Sequence, residues 1–202
     1  MKLADLSILA RLRLPDDHPG RLRIFPFYET AVDLRAGWPD GTADGLTVGL
    51  TSAGYDFALS SEFLVPRPGP DWVADPTVAQ SDMYVAVVAD AVVIEPGETI
   101  LGCTVETVAM PADVEGSIVG RSSYARVGLN LNCTPIEPMW EGRITLELSN
   151  TSRHRVVVRA NSGIGQLQFN LLTDNCRTTY ADKQGRYQGQ TGPTAPIPRK
   201  RK

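Results

Sequence analysis

The sequence predicts a mainly β fold, a sandwich or barrel, and two observations carry that prediction. From Met83 onward, short runs of apolar and β-branched residues recur at regular spacing, separated by turn signals such as Pro96-Gly97, Pro111-Ala112-Asp113 and Asn161-Ser162-Gly163. Helical periodicity is scarce between these runs, so the strands must bury their apolar faces mainly against one another.

Taken in order, the first element is helical. Leu3, Leu6, Ile8, Leu9 and Leu12 recur near helical spacing and Pro15 stops the pattern, which predicts a short N-terminal helix. Between Asp16 and Gln80, Gly, Pro and Asp are frequent, and short apolar runs at Leu46 to Leu50 and Glu62 to Val65 read as strands in ordered loops. Seven further strands are expected at Met83 to Val93, Thr99 to Met110, Gly116 to Val119, Leu129 to Cys133, Arg143 to Leu148, Arg155 to Val158 and Ile164 to Leu172. The polar stretch Arg121-Ser122-Ser123-Tyr124-Ala125-Arg126 suits a single helical turn.

A chain of 202 residues with 42% hydrophobic and 21% charged residues can bury a sizeable core without disulfides or metal. The expected organisation is one domain over 1–193 and a flexible basic tail over 194–202. The net charge of −3 is carried by interspersed acids, and the one basic run, Pro198 to Lys202, sits at the very end. That argues against a nucleic-acid surface. Cys103, Cys133 and Cys176 are far apart and His18 and His154 are isolated, which fits a reduced cytoplasmic protein and no structural zinc. Neither a signal peptide nor a membrane span is expected, because acids and arginines interrupt the apolar residues near Met1 and no apolar run approaches bilayer length.

Two stretches carry chemistry. In Arg143-Ile144-Thr145-Leu146-Glu147-Leu148-Ser149, a side-chain period of two puts Ile144, Leu146 and Leu148 on one face and Arg143, Thr145, Glu147 and Ser149 on the other. Glu147 therefore points away from the core; an exposed strand glutamate is the ordinary explanation. In Arg121 to Arg126, free amide groups at a helical start and two guanidinium forks would suit an oxyanion such as phosphate, whereas surface ion pairs of little consequence are the bland alternative. A third stretch, Gly185-Arg186-Tyr187-Gln188-Gly189-Gln190-Thr191-Gly192-Pro193, could close over a ligand or serve as a linker.

Together, "SAGYDFALSSEF" (Ser52 to Phe63), "GRSSYARVGL", "TPIEPMWEGRITLELSNTS" (Thr134 to Ser152), "GIGQLQF" (Gly163 to Phe169) and "GRYQGQTG" resemble the dCTP deaminases, in family order and over roughly Leu46 to Pro193. The resemblance implies a dUTPase-like distorted β-barrel or jelly-roll with few short helices. It implies a hydrolase that deaminates dCTP to dUTP and ammonia, supplying dUMP for thymidylate synthesis, with dCTP bound as its Mg²⁺ complex and no metal held by the protein. It further implies a homotrimer with active sites shared between subunits, a C-terminal segment that orders over nucleotide, and inhibition by dTTP.

Residue by residue, the resemblance makes Glu147 the catalytic carboxylate, with Ser122 and Arg126 holding and polarising the attacking water. Arg121, Ser122, Ser123, Tyr124, Ala125 and Arg126 would bind the phosphates, and Thr145, Leu146 and Glu147 would line the base and sugar pocket. Gln166, Tyr180 and Gln190 fall at further nucleotide-contacting positions. Arg121 and Arg186 stand where many relatives carry lysine, and arginine serves phosphate with a different geometry. Zinc deaminases activate water through an H-x-E and P-C-x-x-C set that this chain lacks. Here one carboxylate would shuttle the protons as water attacks cytosine C4.

Two alternatives stand beside that reading. One is a dUTP diphosphatase or a bifunctional enzyme forming dUMP with Glu137 as the acid; against the pure diphosphatase, "PMW" replaces its base-recognition aromatic and "RYQGQTG" its C-terminal motif. The other is a non-catalytic deoxynucleotide-binding module, against which Glu147, Ser122 and Arg126 argue.

Overall fold

A computed structural model of the chain describes residues 1–36, 45–67, 69, 73–78 and 81–198. Among these residues, two short α-helices and twelve strands, with a 3-10 turn at Ser81–Met83 before β5, follow in the order α1 (Asp5–Leu12), β1 (Arg23–Phe25), β2 (Gly49–Thr51), β3 (Gly54–Ala58), β4 (Glu62–Pro66), β5 (Tyr84–Val88), β6 (Ala91–Ile94), β7 (Thr99–Ala109), β8 (Val114–Gly120), α2 (Ser122–Ala125), β9 (Leu129–Asn132), β10 (Glu141–Asn150), β11 (Val156–Arg159) and β12 (Gly163–Leu171). The class is mainly β, as the spacing of apolar runs predicts.

The strands form a six-stranded sheet of order β5-β4-β7-β10-β9, with β1 also on β7, a four-stranded sheet β2-β3-β12-β8, and a ribbon β11-β6. Among the described residues these sheets do not close into one barrel. The β9 pairing covers only Glu147–Asn150 of β10, while β12 pairs with the strands β3 and β8 and bridges Lys2 at Asn170. One core joins the two large sheets, with Tyr55, Phe57 and Phe169 from one and Phe63, Ile100, Leu146 and Leu148 from the other.

The helix α1 buries Ile8 and leaves Leu6 exposed, so its apolar face is narrower than the leucine count suggests. Arg11 in its last turn complements the helix dipole and forms a two-toothed ion pair with Asp113, 2.7 and 2.8 Å, anchoring the helix to the β7–β8 turn. The run from Met83 to Val93 divides into β5 and β6, which join different sheets around Ala89-Asp90.

Strand β10 alternates buried and less buried residues along its length, with Ile144, Leu146, Leu148 and Asn150 inward. Its partner β7 bulges: Arg143 faces Thr107 and Thr145 faces Cys103, so Ile144 lies opposite Thr104 to Glu106. The Thr104 hydroxyl repairs the ladder there, accepting the Ile144 N–H at 3.0 Å and donating to the Glu106 carbonyl at 2.6 Å. Displaced inward by the bulge, the Glu106 carboxylate accepts the Ala58 N–H, and burial pushes its carboxyl up to about 7.

Among the described residues, no helix is long and apolar enough to cross a membrane. The three cysteines are free thiols. In the segment Arg35 to Val48, Arg35 is buried and donates to the Ala160 carbonyl at 2.9 Å, and Leu46 donates to Ser162 Oγ at 2.9 Å; residues 37–44 lie outside the described residues.

Candidate active site

A cavity of about 370 Å³ opens on the polar face of β10. Its walls come from β10 (Ile144, Thr145, Glu147), from β7 (Thr99, Leu101), from Tyr84 of β5 and from the loop Cys133 to Trp140 after β9. The C-terminal segment closes it with Tyr180, Tyr187, Gln190, Thr194 and Pro196.

Glu147 reaches this cavity because of strand alternation, with Leu146 and Leu148 turned fully into the core on either side. Its Oε2 is buried and has no hydrogen-bond partner among the described residues, and burial raises the carboxyl above the ordinary carboxylate range, opposed by a backbone hydrogen bond. A raised carboxyl with an unsatisfied oxygen facing a cavity can take a proton from a reactant and return it. The surroundings respond to its charge. The hydroxyl of Tyr84 is raised by burial and then by Glu147, and the thiol of Cys133 is pushed up to about 12 by the same two causes.

Glu137 lines the same cavity and is ion-paired with Lys183 at 2.6 Å. The pair is half exposed and raises the Lys183 ammonium above its usual range.

The C-terminal segment is seated by its backbone. Trp140 Nε1 donates to the Tyr187 carbonyl at 2.8 Å, Gly189 N–H to the Glu141 carbonyl at 2.8 Å, and Thr194 N–H to Thr145 Oγ1 at 3.2 Å. Upstream, Tyr180 packs so tightly on Gly185 that no side chain fits there, and its hydroxyl accepts the Tyr187 N–H at 3.1 Å. Thr194 and Pro196, within the stretch expected as a flexible tail, line the cavity, while Arg199 to Lys202 lie outside the described residues.

The sequence-predicted residues divide between two places. Glu147, Thr145, Tyr180 and Gln190 gather on the cavity, but Leu146 does not: its side chain is 0% exposed in the core. Arg121, Ser122, Ser123, Tyr124, Ala125, Arg126 and Gln166 line none of the cavity. They lie where β8 enters α2 and on the neighbouring β12. There Arg121 Nη1 pairs with Asp56 at 3.0 Å and donates to the Thr47 carbonyl, and Gln166 Nε2 donates to Asp56 Oδ1 at 3.1 Å and Thr51 Oγ1 at 3.2 Å. Ser122, Ser123, Ala125 and Arg126 are exposed, and Ala125 and Arg126 edge a surface groove with Ser152, His154 and Arg155. Arg186 is also exposed, its guanidinium 5.5 Å from the Tyr187 ring centre and donating to the Ile197 carbonyl.

Tyr84, Cys133, Trp140 and Thr194 join the cavity although the sequence does not mark them as site residues, and Tyr187 joins it from the glycine-rich stretch that could close over a ligand. Trp140 and Tyr187 sit inside motifs quoted above, and an aromatic beside the Glu147 strand was a usable signal. Tyr84 arrives only through the pairing of β5 with β4, which no local pattern announces.

Comparison with known proteins gives a consistent result. A family model described as dCTP deaminase-like matches residues 43–172. The dCTP deaminase of Methylococcus capsulatus is 40% identical over 151 residues, 75% of this chain and 80% of that protein. That of Nautilia profundicola is 44% identical over 152 residues, 75% and 81%, and that of Chlamydia abortus 37% over 174 residues, 86% and 90%. Among solved structures, the 2'-deoxycytidine 5'-triphosphate deaminase from Agrobacterium tumefaciens has a TM-score of 0.55 at 20% identity, over 84% of this chain and 48% of that one, a likeness of fold. With the family model matching residues 43–172 and relatives 37–44% identical over three quarters or more of both chains, this chain belongs to the dCTP deaminase-like family.

Proposed function

We propose that the protein hydrolyses dCTP to dUTP and ammonia, with Glu147 as the proton-transferring group. The observation that carries this reading is the unpartnered, buried Oε2 of Glu147 on a cavity of nucleoside size, with its carboxyl raised by burial. Water gives a proton to Glu147 as its oxygen adds to cytosine C4, Glu147 passes that proton to N3, and the second water proton moves through Glu147 to the amino group, which leaves as ammonia as the C4 carbonyl forms. Thr145 and the loop from Cys133 to Trp140 would hold the base and sugar, and Tyr180 and Gln190 would close over them.

Ser122 and Arg126, proposed to hold the water, Arg121, proposed to hold phosphates, and Gln166, at a further nucleotide-contacting position, lie away from the cavity of their own chain. This separation supports a homotrimer in which one subunit supplies α2 and its neighbour supplies Glu147. Asp56 keeps the Arg121 guanidinium oriented for such a contact. The triphosphate would enter as its Mg²⁺ complex, dTTP would compete for the same pocket, and the enzyme would work in the cytoplasm as a single domain.

A second reading is favoured by one observation. Glu137 lines the same cavity as Glu147, so an enzyme that also cleaves the α-phosphate to give dUMP has a second carboxylate in place. Incubation with dCTP and Mg²⁺ followed by ion-exchange chromatography separates the outcomes: dUTP with ammonia supports the first reading, dUMP with diphosphate the second, and unchanged dCTP defeats both.

A further inference from the structure

The β9 strand pairs with only the last four residues of β10, which leaves the backbone of Glu141 to Arg143 as an open edge. The C-terminal segment takes that edge. Gly142 bridges Gln190 in parallel, the Glu141 carbonyl accepts the Gly189 N–H, and Arg143 N–H donates to the Gln190 carbonyl at 2.7 Å. The approach requires glycine: Gly142 has φ +149°, and a Cβ there would stand 2.8 Å from Gln190 N and 2.9 Å from its carbonyl oxygen.

Arg143 adds a side-chain lock to this docking. Its Nε donates to the Thr104 carbonyl freed by the β7 bulge, at 2.7 Å, while Nη1 reaches Glu62 Oε2 at 2.5 Å and the Thr191 carbonyl at 2.8 Å. Glu62 is itself held by Ser60, whose Oγ donates to Oε2 at 3.3 Å and accepts the Glu62 N–H at 3.2 Å. One rigid guanidinium fork therefore ties β7, β4 and the C-terminal segment together at a point immediately before Thr194 and Pro196 reach the cavity. Two residues along the strand on the same face is Thr145, and two further is Glu147, so the lock and the reactive carboxylate share one rigid element.

We propose that Arg143, braced by Glu62, is a positioning residue that sets the register of the C-terminal segment over the cavity and so governs retention of the nucleotide without touching its reacting atoms. The inference rests on the reading of the cavity as the deoxynucleotide site. It assigns to Arg143 and Gly142 a task distinct from that of Glu147: they fix where Gln190 and Thr194 sit.

The test compares the full-length parent with Arg143→Met, Arg143→Lys and Gly142→Ala, following amide hydrogen exchange over 187–196 and steady-state deamination of Mg²⁺–dCTP. In Arg143→Met, exchange across 187–196 should accelerate while that of 144–150 holds, and the dCTP KM should rise about tenfold with kcat within about threefold. Arg143→Lys should recover part of the KM, because an ammonium can keep Glu62 but lacks the fork. Gly142→Ala leaves the guanidinium intact and should release the same segment, which preserves the test if Arg143→Met fails to fold. Unchanged exchange over 187–196 in both Gly142→Ala and any folded Arg143 variant overturns the proposal, as does a fall in kcat at constant KM. A parent without deaminase activity would instead defeat the assigned function, and exchange would still decide whether the lock exists.

Discussion

Glu147 and Cys133 share a wall of the cavity, the thiol lying one residue beyond Asn132, the cross-strand partner of Glu147. Burial and the neighbouring carboxylate push that thiol up to about 12, so it stays protonated and unreactive at neutral pH. Glu147→Gln should lower the thiol's pKa. The pH dependence of Cys133 alkylation, resolved from Cys103 and Cys176 by peptide mass spectrometry, reports the change; an unmoved profile would mean that the carboxylate carries no charge in the cavity.

The same substitution separates chemistry from binding. Proton transfer by a placed side chain contributes roughly 10²–10⁴-fold to rate, and Glu147→Gln should lose a factor of that order in ammonia release. Calorimetric affinity for Mg²⁺–dCTP should change by less than about threefold, because the amide keeps the shape of the carboxylate. Turnover near the parent's level would remove Glu147 from its assigned role.

Acidity should follow from the raised Glu147 carboxyl. As the accepting base it must be ionised, so kcat/KM should fall on acidification at a pH above the ordinary carboxylate range. Stability has the opposite sign. A folded-state pKa above the unfolded one gives a contribution fully present below the ordinary carboxylate pKa and lost as pH rises through the folded value. The melting temperature of Glu147→Gln should therefore exceed the parent's at pH 8, and the gap should close at pH 4; equal melting temperatures at both would contradict the burial cost.

Glu106 obeys the same sign with no role in the chemistry. Its carboxyl moves from 4.5 to about 7 on folding, which corresponds to roughly 3 kcal/mol of stability present below pH 4.5 and lost as pH rises through 7. Urea unfolding at pH 5 and pH 8 should show this loss in the parent and a much flatter dependence in Glu106→Gln. A parent whose midpoint is the same at both values would rule out a buried, neutral Glu106.

Sharing of sites between subunits is open to a mixing experiment. Glu147→Gln and Arg126→Ala should each be nearly inactive alone, yet co-refolded trimers should recover activity, up to about a quarter of the sites if subunits assort at random. Failure of the mixture to exceed its components, with mixed trimers demonstrated by mass, would place Arg126 and Glu147 in sites of one chain or outside any site.

How much of this was legible in the sequence depends on the range of the interaction concerned. The outward face of β10 and the helical turn at α2 follow from local periodicity and composition, and both are as read. β3 was not read as a strand, because Gly54 and Asp56 break its apolar run; it is held as one by β2 and β12 on either side. The bulge in β7 was invisible, since Thr104 and Glu106 look like ordinary alternate residues until a threonine hydroxyl replaces a backbone bond across 40 positions. The motifs could not say that one chain keeps α2 away from the cavity that holds Glu147, because that is a matter of sheet topology rather than pattern.

The open edge of β10 also has a colloidal consequence. Removing the chain beyond Arg186 would strip the cover from Glu141 to Arg143 and expose unpaired backbone groups at a sheet margin, a template on which a strand from another molecule could add. Truncated protein should then be lost to precipitation as well as to weak substrate retention, which makes Gly189 and Gln190 a guard on solubility.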